Sequence, residues 1–84
     1  MRVEHRLAVV ATCPVDKLPD IYQCSVRTTR TIKVEDILKA VGELTKKSLF
    51  QEEFTQRLHR LLACEVETTG WHSGVLTRVV CGAE

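Results

Sequence analysis

The sequence predicts an α+β domain of order ββααββ, in which a four-stranded antiparallel sheet carries two antiparallel helices on one face. Three observations lead there. Apolar and polar residues alternate with period two over residues 3–12, and a β-branched and aromatic run follows over residues 21–30. The apolar spacing then changes to a helical one between residues 33 and 63. Alternation returns from Glu65 to Cys81.

The first run, Val3–Thr12, places Val3, His5, Leu7, Val9 and Ala11 on one side, and Glu4, Arg6, Ala8 and Val10 on the other. One side is mostly apolar, as in a half-buried strand. Residues 21–30 form the second strand, with Tyr22, Cys24, Val26 and Thr28 sharing a face. β-Branched and aromatic side chains support this. Only a short loop separates the two runs, so they should form an antiparallel hairpin. Residues 33–47 read as a helix with Ile37, Leu38, Val41 and Leu44 as its apolar stripe. Glu35 and Asp36 in its first turn, and Lys46 and Lys47 in its last, suit the helix dipole. Ser48 with Gln51 fits a capping box for a second helix. Its stripe is Phe54, Leu58, Leu61 and Leu62, running to about Ala63. Residues 65–69 and 75–81 are the last two strands, and Gly70-Trp71-His72-Ser73-Gly74 reads as a loop or bulge between them. Two amphipathic helices can cover one face of such a sheet.

Eighty-four residues make one domain spanning 1–84. A chain this small buries only about 60–65% of the surface it exposes when unfolded, so association with copies of itself would help it. Twelve basic and eleven acidic residues leave a net charge of +1. No global field therefore draws the chain to nucleic acid or membrane, although a local basic patch such as Arg27, Arg30 and Lys33 could meet RNA phosphates. No apolar run is long enough to span a bilayer, and the charged start reads as cytoplasmic. The four cysteines, Cys13, Cys24, Cys64 and Cys81, lack the close pairing of a zinc knuckle, and no metal is expected. Cys24, Cys64 and Cys81 read as small buried residues. His5 reads as structural and His59 as lying on a solvated face.

The stretch that carries chemistry is Cys13-Pro14-Val15-Asp16-Lys17-Leu18-Pro19-Asp20. Its two prolines restrict the loop, which holds a thiol at one end and a carboxylate at the other. A nucleophile and an acid at a fixed separation can act on an electrophilic carbon. The bland reading of the same residues is a plain inter-strand loop with one buried, inert cysteine.

The Cys-Pro-Val, then Pro-Asp, pattern of this loop is similar to the motif of the QueF family of nitrile-processing enzymes, and the element order resembles the tunnelling fold to which they belong. That fold is shared with GTP cyclohydrolase and pyruvoyl-tetrahydropterin synthase. The resemblance implies that sheets of several copies join edge to edge into a barrel, as a pentamer or decamer, with active sites between subunits. It implies that Cys13 attacks the nitrile of 7-cyano-7-deazaguanine to give a thioimide, and that Asp20 donates a proton. Glu52, with Glu53 as the fallback, would grip the pyrimidine edge of the ring, since a carboxylate accepts two hydrogen bonds from a ring N–H and an exocyclic amine. His72 is a further candidate, as a proton shuttle for the incoming amine.

The sequence also departs from the reductases of that family. Val34-Glu35-Asp36-Ile37-Leu38-Lys39 lacks the internal lysine of the NADPH-binding stretch, and Gln51 stands where a histidine precedes the ring-binding glutamate. The pattern is closer to the short QueF-like branch that adds ammonia to the nitrile on tRNA and forms the amidine of archaeosine, with no cofactor. The alternatives are NADPH-dependent reduction of the free base to 7-aminomethyl-7-deazaguanine, another tunnelling-fold activity on a pterin with zinc, and a non-enzymatic binding domain.

Overall fold

The computed structural model describes residues 1–82. Six elements follow one another: β1 (Val3–Thr12), β2 (Pro19–Thr28), α1 (Val34–Thr45), α2 (Gln51–Leu62), β3 (Glu65–His72) and β4 (Val75–Cys81). The strands form one antiparallel sheet in the order β1-β2-β3-β4. The helices sit against the face that presents Val9 and Ala11 of β1, Tyr22, Cys24 and Val26 of β2, and Val66 of β3. This is the ββααββ arrangement read from the sequence.

The boundaries differ from expectation in four places, each with a physical reason. Strand β2 begins at Pro19 and ends at Thr28, two residues earlier than the 21–30 reading. Proline is tolerated at the first residue of a strand, and there it pairs with Thr12. Helix α1 stops at Thr45, so Lys46 is its C-cap and Lys47 lies beyond it. The N-cap of α2 is Phe50 rather than Ser48: the Phe50 N–H donates to Glu53 Oε1 at 3.3 Å. Buried Leu49 before the cap and buried Phe54 within the first turns occupy the positions of a hydrophobic staple. Finally, Gly70, Trp71 and His72 belong to β3, and only Ser73 and Gly74 make the turn. Their φ values of 49° and 83° are those of a tight two-residue hairpin turn.

The core is built from alternate strand residues and one stripe of each helix. Ile37 and Leu44 of α1 are buried; so are Phe54, Leu58 and Leu62 of α2, together with the polar Gln51 and Thr55 of the same helix. Leu38 and Leu61, expected in the stripes, are more than half exposed. The α2 C-terminus turns through Ala63 in the left-handed conformation. There the Arg30 guanidinium donates to the Leu62 carbonyl, satisfying a group the helix leaves open. His59, placed on a solvated face by sequence, is instead half-buried, its Nδ1 2.6 Å from the Cys64 carbonyl oxygen.

On the opposite face of the sheet, charges form a ladder across all four strands. Arg27 of β2 binds Glu4 of β1 at 2.6 Å, and Glu65 and Glu67 of β3 at 2.6 and 2.9 Å. Arg78 of β4 binds Glu67 at 3.0 Å. Arg27 and Arg30 are therefore engaged within the fold, and the Arg27, Arg30 and Lys33 cluster does not form a free basic patch. Toward the end of that face nearer Cys13, Val10, Ile21, Trp71 and Leu76 are all more than half exposed. Val10 pairs with Ile21 and Trp71 with Leu76, and the β2–β3 register sets Ile21 beside Trp71.

Candidate functional site

The site is built at one end of the sheet, where the β1–β2 loop meets the last residues of β3 and the start of α2. The loop closes as a hairpin. The Cys13 N–H donates to the Leu18 carbonyl at 2.9 Å, and the Lys17 N–H donates to the Cys13 carbonyl at 3.0 Å. Lys17 takes φ of 62°, which lets the four intervening residues turn. Asp16 Oδ1 accepts the Leu18 N–H at 2.9 Å. That amide first, and the Cys13 thiol second, hold the Asp16 carboxyl below the usual carboxylate range. Cys13, half-buried, thus shares its hairpin with two carboxylates, Asp16 in the loop and Asp20 at the start of β2.

Strand alternation does the rest of the positioning. Asp20 pairs with Ala11 and Tyr22 with Val9, and all four side chains take the helix-facing side. The β2–β3 register pairs Tyr22 with Gly70, which brings His72 level with Asp20. Their side chains meet, His72 Nδ1 lying 3.7 Å from Asp20 Oδ2. The Tyr22 ring fills the space beneath, with centroids 6.0 Å from His72 and 5.9 Å from Phe54. Gly70 makes that possible: a β-carbon there would stand 2.7 Å from Tyr22 Cδ1. Burial first, then the charges of Asp20, Cys13 and Glu52, push the Tyr22 hydroxyl up to about 12. Groups from the loop, β2 and α2 therefore act on one buried phenol.

The start of α2 supplies three consecutive polar side chains with three destinations. Gln51 is buried and its Oε1 lies 2.6 Å from His72 Nε2. Glu52 is exposed and engaged in no ion pair among the described residues. Glu53 turns back to accept the Phe50 N–H. Between the two carboxylates proposed for ring binding, the geometry leaves Glu52 available and spends Glu53 on the helix cap.

Sequence reasoning missed Asp16, Tyr22 and Gln51 as members of this cluster. The available signal was polar residues on an apolar stripe: Gln51 and Thr55 fall on the same helical face as Phe54 and Leu58. The other cysteines lie apart from the cluster. Cys24 and Cys64 are buried and Cys81 half-buried, all free thiols, and burial raises Cys24 to about 11. Among the described residues no group of three or more His, Cys, Asp or Glu converges on a metal position.

A separate concavity lies away from this cluster. A groove of about 850 Å³ runs between the helices, floored by Ile32, Leu44 and Leu62. Five basic side chains, Arg30, Lys39, Lys47, Arg57 and Arg60, rim it, against two acidic ones, Asp36 and Glu43.

The chain is thus a ββααββ domain with one antiparallel sheet and both helices on one face. Among solved structures it is similar to the crystal structure of the archaeosine synthase QueF-Like in the apo form, with a TM-score of 0.85 over 95% of this chain and 90% of that one, at 20% sequence identity. At that identity the likeness establishes the fold. No family model matches the sequence, and no curated protein matches it significantly. No helix of the described residues is long and apolar enough to cross a membrane.

Proposed function

We propose that this protein is a tRNA-modifying enzyme that acts on the nitrile of a 7-cyano-7-deazaguanine base through a Cys13 thioimide, and that ammonia then converts the thioimide to the amidine of archaeosine. The observation that carries this reading is the meeting of Asp20 and His72, 3.7 Å apart, at the end of the proline-stiffened loop that presents Cys13. The fold shared with a QueF-like archaeosine synthase supports it.

The chemistry follows from the residues. The Cys13 thiol gives up its proton and its sulfur bonds to the nitrile carbon; only the thiolate is a competent nucleophile. Asp20 delivers a proton to the nitrile nitrogen as charge develops there. One S–H and one C≡N π bond are lost, one S–C and one N–H bond are gained, and no net proton leaves the site. Ammonia then adds to the thioimide carbon, and the Cys13 sulfur leaves and recovers a proton. His72 serves this second step by moving the proton shed by the incoming nitrogen. Glu52 holds the ring so that the nitrile carbon meets sulfur rather than solvent. No step requires a nicotinamide.

The groove between the helices favours a base already carried in tRNA over a free base. It takes five of the chain's twelve basic residues and only two of its eleven acidic ones. Lys39, Lys47, Arg57 and Arg60 form no salt bridge among the described residues. Free cations of this kind bind backbone phosphate and release counterions. The exposed row Val10, Ile21, Trp71 and Leu76, with the open edges of β1 and β4, supports assembly of copies through their sheets.

Intact-mass analysis of the protein with 7-cyano-7-deazaguanine, free and in tRNA, tests the reading. The expected result is a covalent adduct on the wild type that is lost in Cys13→Ala. Turnover should then depend on ammonia and not on NADPH. An adduct that persists in Cys13→Ala would refute the assignment, and consumption of NADPH would establish the reductase in its place.

A further inference from the structure

Gln51 stands at the first position of α2 and is 2% exposed. Its amide is oriented by a network of buried hydroxyls and carbonyls. The Thr55 hydroxyl donates to the Gln51 backbone carbonyl at 2.7 Å. Having spent its only hydrogen, Thr55 Oγ1 must accept from Thr68 Oγ1, 2.6 Å away. Thr68 Oγ1 is in turn an acceptor toward Gln51. Gln51 Nε2 faces three acceptors: Thr68 Oγ1 at 3.1 Å, the Thr68 carbonyl at 3.2 Å and the Thr77 carbonyl at 3.0 Å. A reversed amide would set its oxygen against both carbonyls, so the orientation is fixed. Gln51 Oε1 is left as a pure acceptor 2.6 Å from His72 Nε2.

An acceptor at that distance requires a proton on Nε2. In the neutral imidazole the other nitrogen then carries the lone pair, and that nitrogen, Nδ1, faces Asp20 Oδ2 at 3.7 Å. We propose that Gln51 is a positioning residue that holds His72 in the Nε2–H tautomer, so that Nδ1 exchanges the working proton with Asp20. The proton given up by the Cys13 thiol charges His72 to imidazolium; when Asp20 has given its own proton to the substrate nitrogen, that imidazolium returns one through Nδ1 and reverts to the neutral Nε2–H form. When nitrogen enters, neutral Nδ1 takes up the proton it sheds. Nε2–H stays on Gln51 throughout. The proton-exchange part rests on the reaction proposed above; the tautomer does not.

Nitrogen-15 spectra of histidine-labelled protein read the tautomer directly, with the His72→Phe spectrum separating His72 from His5 and His59. The wild type should show a pyrrole-type Nε2 and a pyridine-type Nδ1 once the imidazole is neutral; the reverse assignment would overturn the proposal. In Asp20→Asn the Nδ1 resonance should move while Nε2 holds, and an unmoved Nδ1 would remove Asp20 as its partner. Gln51→Leu should give a mixture of tautomers and lower kcat by about 100-fold with KM little changed, the size of a positioned proton-transfer group. A folded Gln51→Leu protein with mixed tautomers and wild-type kcat would refute the proton role. If the wild type forms no thioimide at all, the proposed reaction fails, whereas the tautomer assignment still stands or falls on the spectra.

Discussion

Gly70→Ala tests the packing on which the site depends. A methyl group at position 70 would meet Tyr22 Cδ1 at 2.7 Å, Tyr22 Cε1 at 3.2 Å and the Ile21 carbonyl oxygen at 3.3 Å. The ring has little room to retreat, being 1% exposed with Phe54 and His72 as neighbours. Overpacking a filled site of this kind costs about 1–3 kcal/mol, which for a domain this size lowers Tm by roughly 5–20 °C. Thermal unfolding followed by circular dichroism measures it, since the single tryptophan, Trp71, is 66% exposed and reports weakly on the core. A double-mutant cycle supplies the control. In a Tyr22→Leu background the ring is gone, so the added methyl should cost less, with a coupling of about 1 kcal/mol or more. A Gly70→Ala protein within about 0.5 kcal/mol of wild type, or a cycle without coupling, would refute the argument that this glycine exists to admit the ring.

Three further outcomes follow from the same structure. Tyr22 and Cys24 titrate at about 12 and 11 in the fold, against ordinary values of 10.0 and 9.0, so the folded state holds their protons more tightly. Their stabilisation is complete below pH 9.0 for Cys24 and 10.0 for Tyr22 and is lost as pH rises through about 11 and 12, which urea midpoints in alkaline buffer will show. Glu67 shifts the other way, held down by Arg78 first, so its contribution is present above 4.5 and disappears as pH falls further. Arg27→Met leaves Glu4, Glu65 and Glu67 facing one another without their shared cation. It should cost roughly 1–2 kcal/mol at low salt and less at high salt, read by urea titration at two ionic strengths. Lys39→Glu with Arg57→Glu should weaken tRNA binding and flatten the slope of log affinity against log salt by about two to four units. An unchanged slope would remove the helical groove as the RNA surface.

The order of elements, the sheet with helices on one face and the hairpin around the loop were legible from local pattern. Alternation and helical spacing report which side of each element is apolar, and that is enough to pair six short elements. The bounds of β1 and β4 were legible for the same reason. The misplaced features share a cause, since each depends on residues distant in sequence. Gly70 looked like turn punctuation because its purpose, space for Tyr22, lies forty-eight residues away. Gln51 looked like a capping residue because its partners Thr68, His72 and Thr77 arrive only with the last hairpin. Leu61 matched a helical stripe by spacing, yet it lines the groove between the helices.

By itself the sequence determined that a thiol and a carboxylate stand at opposite ends of a short, proline-restricted loop, because chain connectivity and fixed φ angles act locally. Only the tertiary structure decided that His72 comes to Asp20, that Glu53 caps a helix while Glu52 stays exposed, and that Gln51 orients an imidazole. Those are matters of sheet register and buried hydrogen bonding, in which the partner of each group is set by packing across the whole domain.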